Sequence, residues 1–373
     1  MKIAILGTRG IPSAYGGFET FAEELSARLA QRGHQVTVYC RAHSVAFRPA
    51  GDTHRGVRLV FLPTIRHKYL DTLAHTFVST LHTLGGDEEI VLICNAANSI
   101  FSWIPRLSGK KTVVNVDGLE RKRRKWNAAG RAYYGLSEWL STFLPTAIVT
   151  DARTIQQYYR ERYQKDSHFI PYGALEPDGS GAGLVEKLGL RPGNYVLYVS
   201  RLEPENNALL VVKAFERVKG EVQLAVVGDA PYARDYIAQV RSTRDPRIIF
   251  PGAVYGPGYR QLLAHAQFYV HATEVGGTHP ALIEAMAAGK AILYLDTAEN
   301  REAAGEAGLP FAASEEALAA RMNCLIGCSQ ERQRLGEMAR ARAREFFDWE
   351  RVTDEYESLF RQIIQGSKFK VQG

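Results

Sequence analysis

The chain has 373 residues, more than one ordinary hydrophobic core accommodates, so we expect two domains. Hydrophobic residues make up 46% and charged residues 23%, a globular composition that excludes a disordered chain. The net charge of +6 is a mild basic excess, compatible with anionic small molecules, a lipid headgroup surface or nucleic acid.

Cysteine usage and hydropathy indicate a cytoplasmic protein. The four cysteines are scattered and no metal-ligand set surrounds them, which is typical of reduced core thiols. The apolar run at residues 1–7 is too short for a signal peptide, and no run reaches the roughly 18 to 20 apolar residues of a membrane span. We therefore expect a cytoplasmic location, with the inner face of the cell membrane reached only as a peripheral surface.

The start of the chain has the pattern of a βαβ unit. Lys2–Leu6 is a buried-strand run, residues 7–17 form a glycine- and proline-containing loop, and residues 18–32 show helical spacing. Residues 35–40 form the next strand, and a strand-helix-strand sequence forces parallel pairing. A first α/β domain is therefore predicted at 1–172. Its further strands are predicted at Val57–Leu62, Ile90–Cys94, 112–116, Ala147–Thr150 and 168–171, with a helix at 69–84.

A second doubly wound domain is predicted at 195–346. Residues 173–194, rich in glycine, proline and acidic side chains, are typical of a linker, and residues 347–373 are predicted to form a helix that returns to the first domain. The predicted fold class is α/β, with two Rossmann-like domains facing each other across a cleft and binding a ligand at the carboxyl ends of their strands. Strands of the second domain are predicted at 195–200, Gln223–Val227, 247–250, Phe268–His271 and 291–295, with helices at 208–218, 259–266 and 280–289.

The segment 271–289 carries the clearest chemical signal. A loop with Gly276, Gly277 and Thr278 precedes a helix that starts at a proline. N–H groups of such a loop and of a helix N-terminus form a site for a diphosphate, and Glu284, one turn later, can accept a hydrogen bond from a ribose hydroxyl. A solvent-facing glutamate near a positive helix end is the alternative. The pattern favours a nucleotide-linked ligand.

Four motifs together resemble those of a known family. They are Tyr15-Gly-Gly-Phe-Glu-Thr20, Val116-Asp-Gly-Leu-Glu120, Ser200-Arg-Leu-Glu-Pro-Glu-Asn-Asn207 and residues 275–289. The chain resembles the retaining glycosyltransferases of family 4, which have the GT-B fold, and among them the bacterial dTDP-rhamnose-dependent rhamnosyltransferases. The resemblance implies a metal-independent hexosyltransferase without a cofactor. It would move a sugar, expected to be L-rhamnose, from dTDP-L-rhamnose or another nucleotide sugar to a saccharide or undecaprenyl-diphosphate-linked acceptor in surface polysaccharide synthesis.

Three positions depart from the broad family pattern. Gly276 stands where the family has the first of two glutamates, of which Glu284 is the second. Asn206 stands where a lysine contacts the diphosphate, and Asp117 where a histidine is frequent. The rhamnosyltransferase-like branch shares such changes, so they indicate a subtype.

The resemblance assigns donor binding to residues of both halves. Arg201 is expected to bind the diphosphate through two parallel hydrogen bonds and to offset charge on the leaving group, and an ion pair with Glu203 or Glu205 is the alternative. Gly16 and Gly17 allow close backbone approach to the donor, or serve only a turn. The full donor-binding set is Gly16, Gly17, Arg201, Asn206, Gly276, Gly277, Thr278, Leu282 and Glu284.

Asp117, Arg201 and Glu19 are the predicted catalytic residues. Asp117 follows a predicted strand and can position the acceptor hydroxyl or accept its proton, with a helix N-cap or turn as the alternative, and Glu19 is similar. In the retaining reaction that the resemblance implies, the acceptor attacks on the face from which the diphosphate leaves. A leaving-group oxygen can then take the proton, so no side-chain base is required.

A basic stretch with aromatic residues is the predicted acceptor and membrane surface. Basic side chains beside aromatic ones suit an anionic membrane and a lipid-diphosphate acceptor. A solvated helix face is the alternative, and nucleic acid is not expected because no nucleic-acid motif accompanies the stretch. Its residues are Arg121, Arg123, Arg124, Lys125 and Trp126.

Two other functions stay open from the sequence. One is a nucleotide-sugar epimerase or phosphorylase of the same fold, and the other is a non-catalytic nucleotide-sugar-binding protein, for which Gly276 leaves room. A Rossmann dehydrogenase is not expected, because residues 7–10 lack the Gly-x-Gly-x-x-Gly spacing that brings backbone close to a dinucleotide.

Overall fold

The computed structural model describes residues 1–13, 16–43, 51–67, 70–123, 126–177 and 181–366. The chain divides into two compact units, Met1–Tyr172 together with Trp349–Gly373, and Gly173–Asp348. The C-terminal segment therefore belongs to the first unit. Residues 173–194, interpreted above as a linker, belong to the second unit, where part of the segment forms a short helix at Gly183–Lys187.

Strands and helices alternate along most of the described chain. The strands are β1 (Lys2–Leu6), β2 (Gln35–Arg41), β3 (Thr53–His54), β4 (Val57–Leu62), β5 (Ile90–Cys94), β6 (Lys111–Val116), β7 (Ala147–Thr150), β8 (His168–Phe169), β9 (Tyr195–Val199), β10 (Gln223–Val227), β11 (Ile248–Gly252), β12 (Phe268–His271), β13 (Ile292–Leu295) and β14 (Gly308–Phe311). The helices are α1 (Gly17–Gln31), α2 (Asp71–Thr83), α3 (Ala128–Ser141), α4 (Arg153–Tyr163), α5 (Gly183–Lys187), α6 (Ala208–Phe215), α7 (Arg234–Val240), α8 (Gly256–His265), α9 (Pro280–Ala287), α10 (Ala298–Ala304), α11 (Glu315–Gly327), α12 (Ser329–Phe346) and α13 (Trp349–Gln365). Short 3-10 helices lie at Ala96–Phe101, Pro105–Ser108, Glu120–Lys122, Pro204–Asn206 and Gly305–Ala307.

The first unit is built on a sheet with the strand order β3-β4-β2-β1-β5-β6-β7-β8. All neighbouring strands pair in parallel except β3 and β4, which are antiparallel. Strand β5 is buried along its whole length, as expected for a parallel sheet that is covered on both faces. The order reverses between β1 and β5, on either side of the loop that follows β1.

The second unit has a wholly parallel sheet with the order β11-β10-β9-β12-β13-β14. The strand order reverses between β9 and β12, and in such sheets ligands bind outside the carboxyl ends of the strands at this point. The fold class, α/β with two parallel-sheet domains, is confirmed. Strand β14 extends the sheet beyond the strands predicted from the sequence.

Helix α13 packs against α1 in the first unit. The ring of Phe21 lies 5.5 Å from the ring of Tyr356, and the Asn115 Nδ2 atom on β6 donates a hydrogen bond to the Tyr356 hydroxyl at 2.5 Å. Arg32 adds ion pairs to Glu350 at 2.7 Å and Asp354 at 2.6 Å. The helix begins at Trp349, two residues after the predicted start. Within the described ranges, every helix is too short or too polar to cross a bilayer.

Candidate functional site

The carboxyl edge of β9 and β12 brings two predicted loops together. These strands are direct neighbours, with Tyr269 paired to Leu197. Strand β9 ends at Val199 and leads into Ser200 and Arg201, and β12 ends at His271 and leads into the glycine loop before α9. Both loops therefore lie at the point where the strand order reverses. We call residues 200–207 the arginine loop and residues 272–279 the glycine loop.

Hydrogen bonds tie the arginine loop to the glycine loop. The Asn207 Nδ2 atom donates to the Ala272 carbonyl oxygen at 2.9 Å and to Glu274 Oε1 at 3.0 Å. The Glu274 main-chain N–H donates to the Glu205 carbonyl oxygen at 2.9 Å. Asn207 has a left-handed backbone, with φ at 58°, which asparagine adopts more readily than most residues. No role for Asn207 is predicted from the sequence, although this residue ends the Arg-Leu-Glu-Pro-Glu-Asn-Asn motif.

Arg201 keeps 40% of its side chain exposed at the start of the arginine loop. Its Nη2 atom lies 3.8 Å from Glu203 Oε2, so the ion pair considered as the alternative is present but long. Glu203 is itself buried and accepts a hydrogen bond from the Tyr232 hydroxyl at 2.5 Å. The guanidinium is thus oriented by a buried carboxylate while part of its surface faces solvent, which suits binding of an anionic ligand.

The side chain of Asn206 stabilises the arginine loop through a hydrogen bond within that loop. The residue is buried, its Nδ2 donates to the Arg201 carbonyl oxygen at 2.6 Å, and its own carbonyl accepts a hydrogen bond from Tyr198. The structure therefore places the Asn206 amide where it holds the Arg201 backbone, whereas the sequence predicted direct contact with the donor. Leu282 likewise lies in the interior of α9, fully buried, and its N–H donates to the His279 carbonyl oxygen at 3.0 Å.

The glycine loop is closely packed. Gly276, Gly277 and Thr278 are buried, and a Cβ atom at Gly276 would overlap the ring of His279. That ring packs on His271, with ring centroids 4.7 Å apart, so it has little freedom to move aside. A side chain at position 276 would therefore require the His279 ring to shift.

Glu284 lies on α9 near two buried tyrosines, Tyr259 and Tyr269. Burial, and then the negative charge of Glu284, raise the pKa values of Tyr259 on α8 and Tyr269 on β12 well above the usual range. The Tyr269 hydroxyl donates to the Val199 carbonyl oxygen at 3.2 Å, at the last residue of β9. Glu284 therefore lies near these two tyrosines, and its contact with a ribose hydroxyl stays a prediction.

In the first unit, Glu19 folds back over the start of α1. Its Oε1 accepts a hydrogen bond from the Arg9 N–H at 3.0 Å, and a Cβ atom at Gly16 would lie 3.1 Å from its Oε2. Gly16 has extended backbone and caps α1, which begins at Gly17. Tyr15, the first residue of this motif, lies outside the described residues. The carboxylate therefore holds the β1–α1 loop in place.

Asp117 directly follows β6 at the carboxyl edge of the first sheet and is partly buried. Burial, and then the charges of Asp117 and Glu19, raise the pKa of the Cys94 thiol at the end of β5 well above its usual range. Both carboxylates therefore lie close enough to Cys94 for their charges to act on its thiol. Gly118 follows with φ at 154°, which fits the turn considered as the alternative.

The predicted basic stretch has its arginines engaged within the unit. Arg121 Nε lies 3.0 Å from Glu138 Oε2 on α3, and the buried Arg123 lies 2.5 Å from Glu120 Oε1. The Trp126 ring lies 4.9 Å from the ring of Tyr134. Arg124 and Lys125 lie outside the described residues. The charges of Arg121 and Arg123 are thus compensated, which leaves less positive potential for a membrane than the sequence suggested.

Comparison with known proteins finds a family match within the second unit. Residues 193–327 match the family described as glycosyl transferases group 1. The arginine loop, the glycine loop and Glu284 all lie inside this match. Residues 1–175 match a family described as a domain of unknown function (DUF1972).

A curated relative resembles part of the chain. It is the N-acetylgalactosamine-N,N'-diacetylbacillosaminyl-diphospho-undecaprenol 4-alpha-N-acetylgalactosaminyltransferase of Campylobacter jejuni, 23% identical over 128 residues. The match spans 34% of this chain and 34% of the relative, about one third of each.

Solved structures resemble the whole chain. Sucrose-phosphate synthase from Thermosynechococcus elongatus has a TM-score of 0.82 at 19% identity and covers 98% of this chain and 99% of its own. Anabaena HepE, solved in complex with UDP and glucose, has a TM-score of 0.76 at 16% identity, with coverages of 97% and 100%. At these identities the likeness shows the fold, which is the GT-B fold.

Proposed function

We propose that the protein transfers L-rhamnose from dTDP-L-rhamnose, or another hexose from its nucleotide-diphosphate donor, to a saccharide or undecaprenyl-diphosphate-linked acceptor. The reaction is a retaining, metal-independent hexosyl transfer at the cytoplasmic face of the membrane, in bacterial surface polysaccharide synthesis. The Campylobacter relative is named for an acceptor on diphospho-undecaprenol, and HepE was solved with UDP and glucose, which supports both substrate classes. The resemblance to rhamnosyltransferases supports the choice of sugar.

The arginine loop and the glycine loop, joined at the β9–β12 edge, are the observation that carries this proposal. A half-exposed guanidinium and the N-terminus of α9 flank one region of this edge, and both favour negative charge. Glu284, one turn into α9, supplies a carboxylate for a ribose hydroxyl. A diphosphate with a nucleoside on one side is the ligand that matches this combination of cationic, dipolar and acidic groups.

In the proposed transfer, the bond between the anomeric carbon and the diphosphate oxygen breaks while the acceptor hydroxyl oxygen bonds to the same carbon on the same face. The hydroxyl proton passes to an oxygen of the departing diphosphate. Arg201 offsets the negative charge that grows on this leaving group. Asp117 and Glu19, whose charges both act on Cys94 at the end of β5, are assigned to orienting the acceptor and its loop.

Nucleotide binding tests the donor site directly. A thermal unfolding series with dTDP, UDP and GDP sugars is expected to show stabilisation by one nucleotide class, because a ligand that binds only the native state raises its stability. Arg201→Ala and Glu284→Gln are expected to lose most of that stabilisation. Arg217→Ala is the matched control, since this half-exposed arginine of the same unit pairs with Glu315 away from the loops. No stabilisation by any nucleotide sugar, with both variants behaving as the parent, would overturn the donor site.

Product analysis separates transfer from the competing functions. With donor and a lipid-linked or saccharide acceptor panel, we expect a new glycoside whose anomeric configuration equals that of the donor, and an unchanged rate after chelation of divalent metals. Conversion of the donor sugar without acceptor would identify an epimerase. Tight nucleotide binding without transfer to any acceptor would identify a binding protein.

A further inference from the structure

Helix α2 carries its polar side chains inward and its apolar side chains outward. The fully buried face holds His75, Thr76, Ser79, Thr80 and Thr83. The exposed side includes Phe77 and Leu81, which are one turn apart. A helix with one face exposed to water normally has polar side chains on that face and apolar side chains on its buried face. The polarity of α2 therefore indicates that something apolar covers its outer face.

Helix α3 shows the same inversion. Its buried face holds Ser137, Glu138 and Ser141, whereas Trp139 on the helix and Phe143 just after it are exposed. These two rings pack edge to face, with centroids 4.7 Å apart, so they form one protruding aromatic pair. Two neighbouring helices with outward apolar faces are harder to reconcile with a water-exposed surface than one.

The chain between these helices joins the two faces. Trp103 and Leu107 are exposed beside and on the 3-10 helix Pro105–Ser108, and Arg106 of that helix donates to the Leu144 carbonyl oxygen just after α3 at 2.6 Å. Helix α2 contacts the 3-10 helices on this segment, and α3 contacts the first of them. We call the resulting surface the apolar face. It is formed by Phe77, Leu81, Trp103, Leu107, Trp139 and Phe143, which are 42% to 71% exposed.

Basic residues outnumber acidic ones in the segment that carries most of the apolar face. Within 95–123 and 126–146, which the structure describes, seven lysines and arginines stand against three acidic residues, an excess of +4. Two of the three acids, Glu120 and Glu138, are in ion pairs with Arg123 and Arg121. Arg106 and Arg131 are exposed on the same elements. Tryptophan, apolar side chains and flanking basic residues together match the interfacial region of an anionic bilayer.

A second copy of the chain fits this surface less well. A two-fold dimer places the same patch of both copies in contact, which would set the arginines of one copy against those of the other. An anionic lipid surface meets the same patch with opposite charge. The charge distribution therefore selects lipid over self-association.

We propose that the apolar face binds the first unit to an anionic lipid bilayer, and that the aromatic pair of Trp139 and Phe143 inserts into it. This refines the proposed use of a lipid-linked acceptor, but it rests on the polarity of α2 and α3 and on the charge around them. It also moves the membrane contact from the predicted stretch 121–126 to the outer faces of these helices.

Vesicle flotation of the full chain tests the surface. Vesicles of phosphatidylcholine with about one third phosphatidylglycerol are expected to carry the protein, and pure phosphatidylcholine vesicles to carry less of it. Replacing Trp139 and Phe143 together by serine is expected to lower the bound-to-free ratio at least tenfold. The matched control replaces Tyr255 and Phe346 by serine, since these exposed aromatics lie in the second unit. Equal flotation of the Trp139/Phe143 variant and the parent would overturn the proposal.

Two further readouts keep the outcomes separate. Brominated lipids are expected to quench tryptophan fluorescence of the parent and to quench less after Trp103→Phe with Trp139→Phe. Nucleotide stabilisation of the serine variant is expected to match the parent, which shows that the fold and donor site are intact. If the parent floats but is stabilised by no nucleotide, loss of flotation in a serine variant that unfolds at the same urea concentration as the parent would support the surface and contradict the proposed function. A concentration-dependent dimer lost in the variant, without flotation of the parent, would assign the face to a second copy and overturn the lipid proposal.

Discussion

Asn207 is the side chain that joins the arginine loop to the glycine loop, and its replacement tests whether that junction shapes the nucleotide site. Its amide makes one hydrogen bond to a main-chain carbonyl at 2.9 Å and one to the Glu274 carboxylate at 3.0 Å. Its backbone is left-handed, so the substitution also changes backbone strain. Glycine and alanine separate the two effects, because only glycine adopts this conformation without cost.

The expected magnitudes follow from these contacts. A neutral hydrogen bond contributes about 0.5 to 1.5 kcal/mol and one to a charged group about 1.5 to 3 kcal/mol, with the lower values applying to this half-buried side chain. Asn207→Gly is therefore expected to lower the free energy of unfolding by roughly 2 to 3 kcal/mol. Asn207→Ala adds the left-handed conformation of an L side chain, worth roughly 1 kcal/mol more.

Urea unfolding and calorimetric titration with the stabilising nucleotide measure the two consequences. We expect stability to fall in the order parent, Asn207→Gly, Asn207→Ala, and nucleotide affinity to fall in both variants because the loops lose their fixed spacing. Asn194→Gly is the control, since its amide makes a single 3.4 Å hydrogen bond at the opposite end of β9. If Asn207→Gly unfolds at the same urea concentration as the parent and binds nucleotide equally well, the junction has no role.

Two other expectations concern the glycine loop and His271, whose ring packs on His279 of that loop. Gly276→Ala is expected to lower the free energy of unfolding by about 1 to 3 kcal/mol, because the new Cβ atom overlaps the His279 ring. Adding His279→Ala is expected to restore part of that loss, as measured by urea unfolding. Unchanged stability of Gly276→Ala, or additive losses in the double variant, would show that the two side chains are not in contact. Burial lowers the pKa of His271 to about 3 from 6.5, so the unfolded chain binds a proton first and stability falls as the pH drops from about 6.5 towards 3. This costs about 2 kcal/mol at pH 5, and His271→Asn is expected to flatten the change in urea midpoint between pH 7 and pH 5, whereas a parallel change would contradict the assignment.

Much of the framework could be predicted because parallel strands leave clear apolar runs. β1, β4, β5, β7, β10 and β12 have the predicted bounds. Since carboxyl ends of parallel strands share one edge, the order of strands was enough to expect Arg201 and the glycine loop at the same edge. Strand β14 was missed because its Gly-Leu-Pro-Phe sequence is short and carries a proline, which argues against a strand.

Other features depend on contacts that no local pattern contains. The junction through Asn207 joins residues 65 and 67 positions apart, and the burial of Asn206 follows from how the loop closes on Tyr198. Arg121 forms an ion pair with Glu138 on α3, so part of the positive charge of the predicted basic stretch 121–126 is neutralised. For α2, helical spacing predicts the helix but not which face is buried, and an apolar stripe ordinarily indicates the inner one.

The crystal structure of the protein bound to dTDP is the most direct test of the donor site. We expect the diphosphate to lie at the carboxyl edge of β9 and β12, in contact with the Arg201 guanidinium and the glycine loop, with the ribose hydroxyls against Glu284. A nucleotide bound at any other edge, with Arg201 and Glu284 both away from it, would contradict the account.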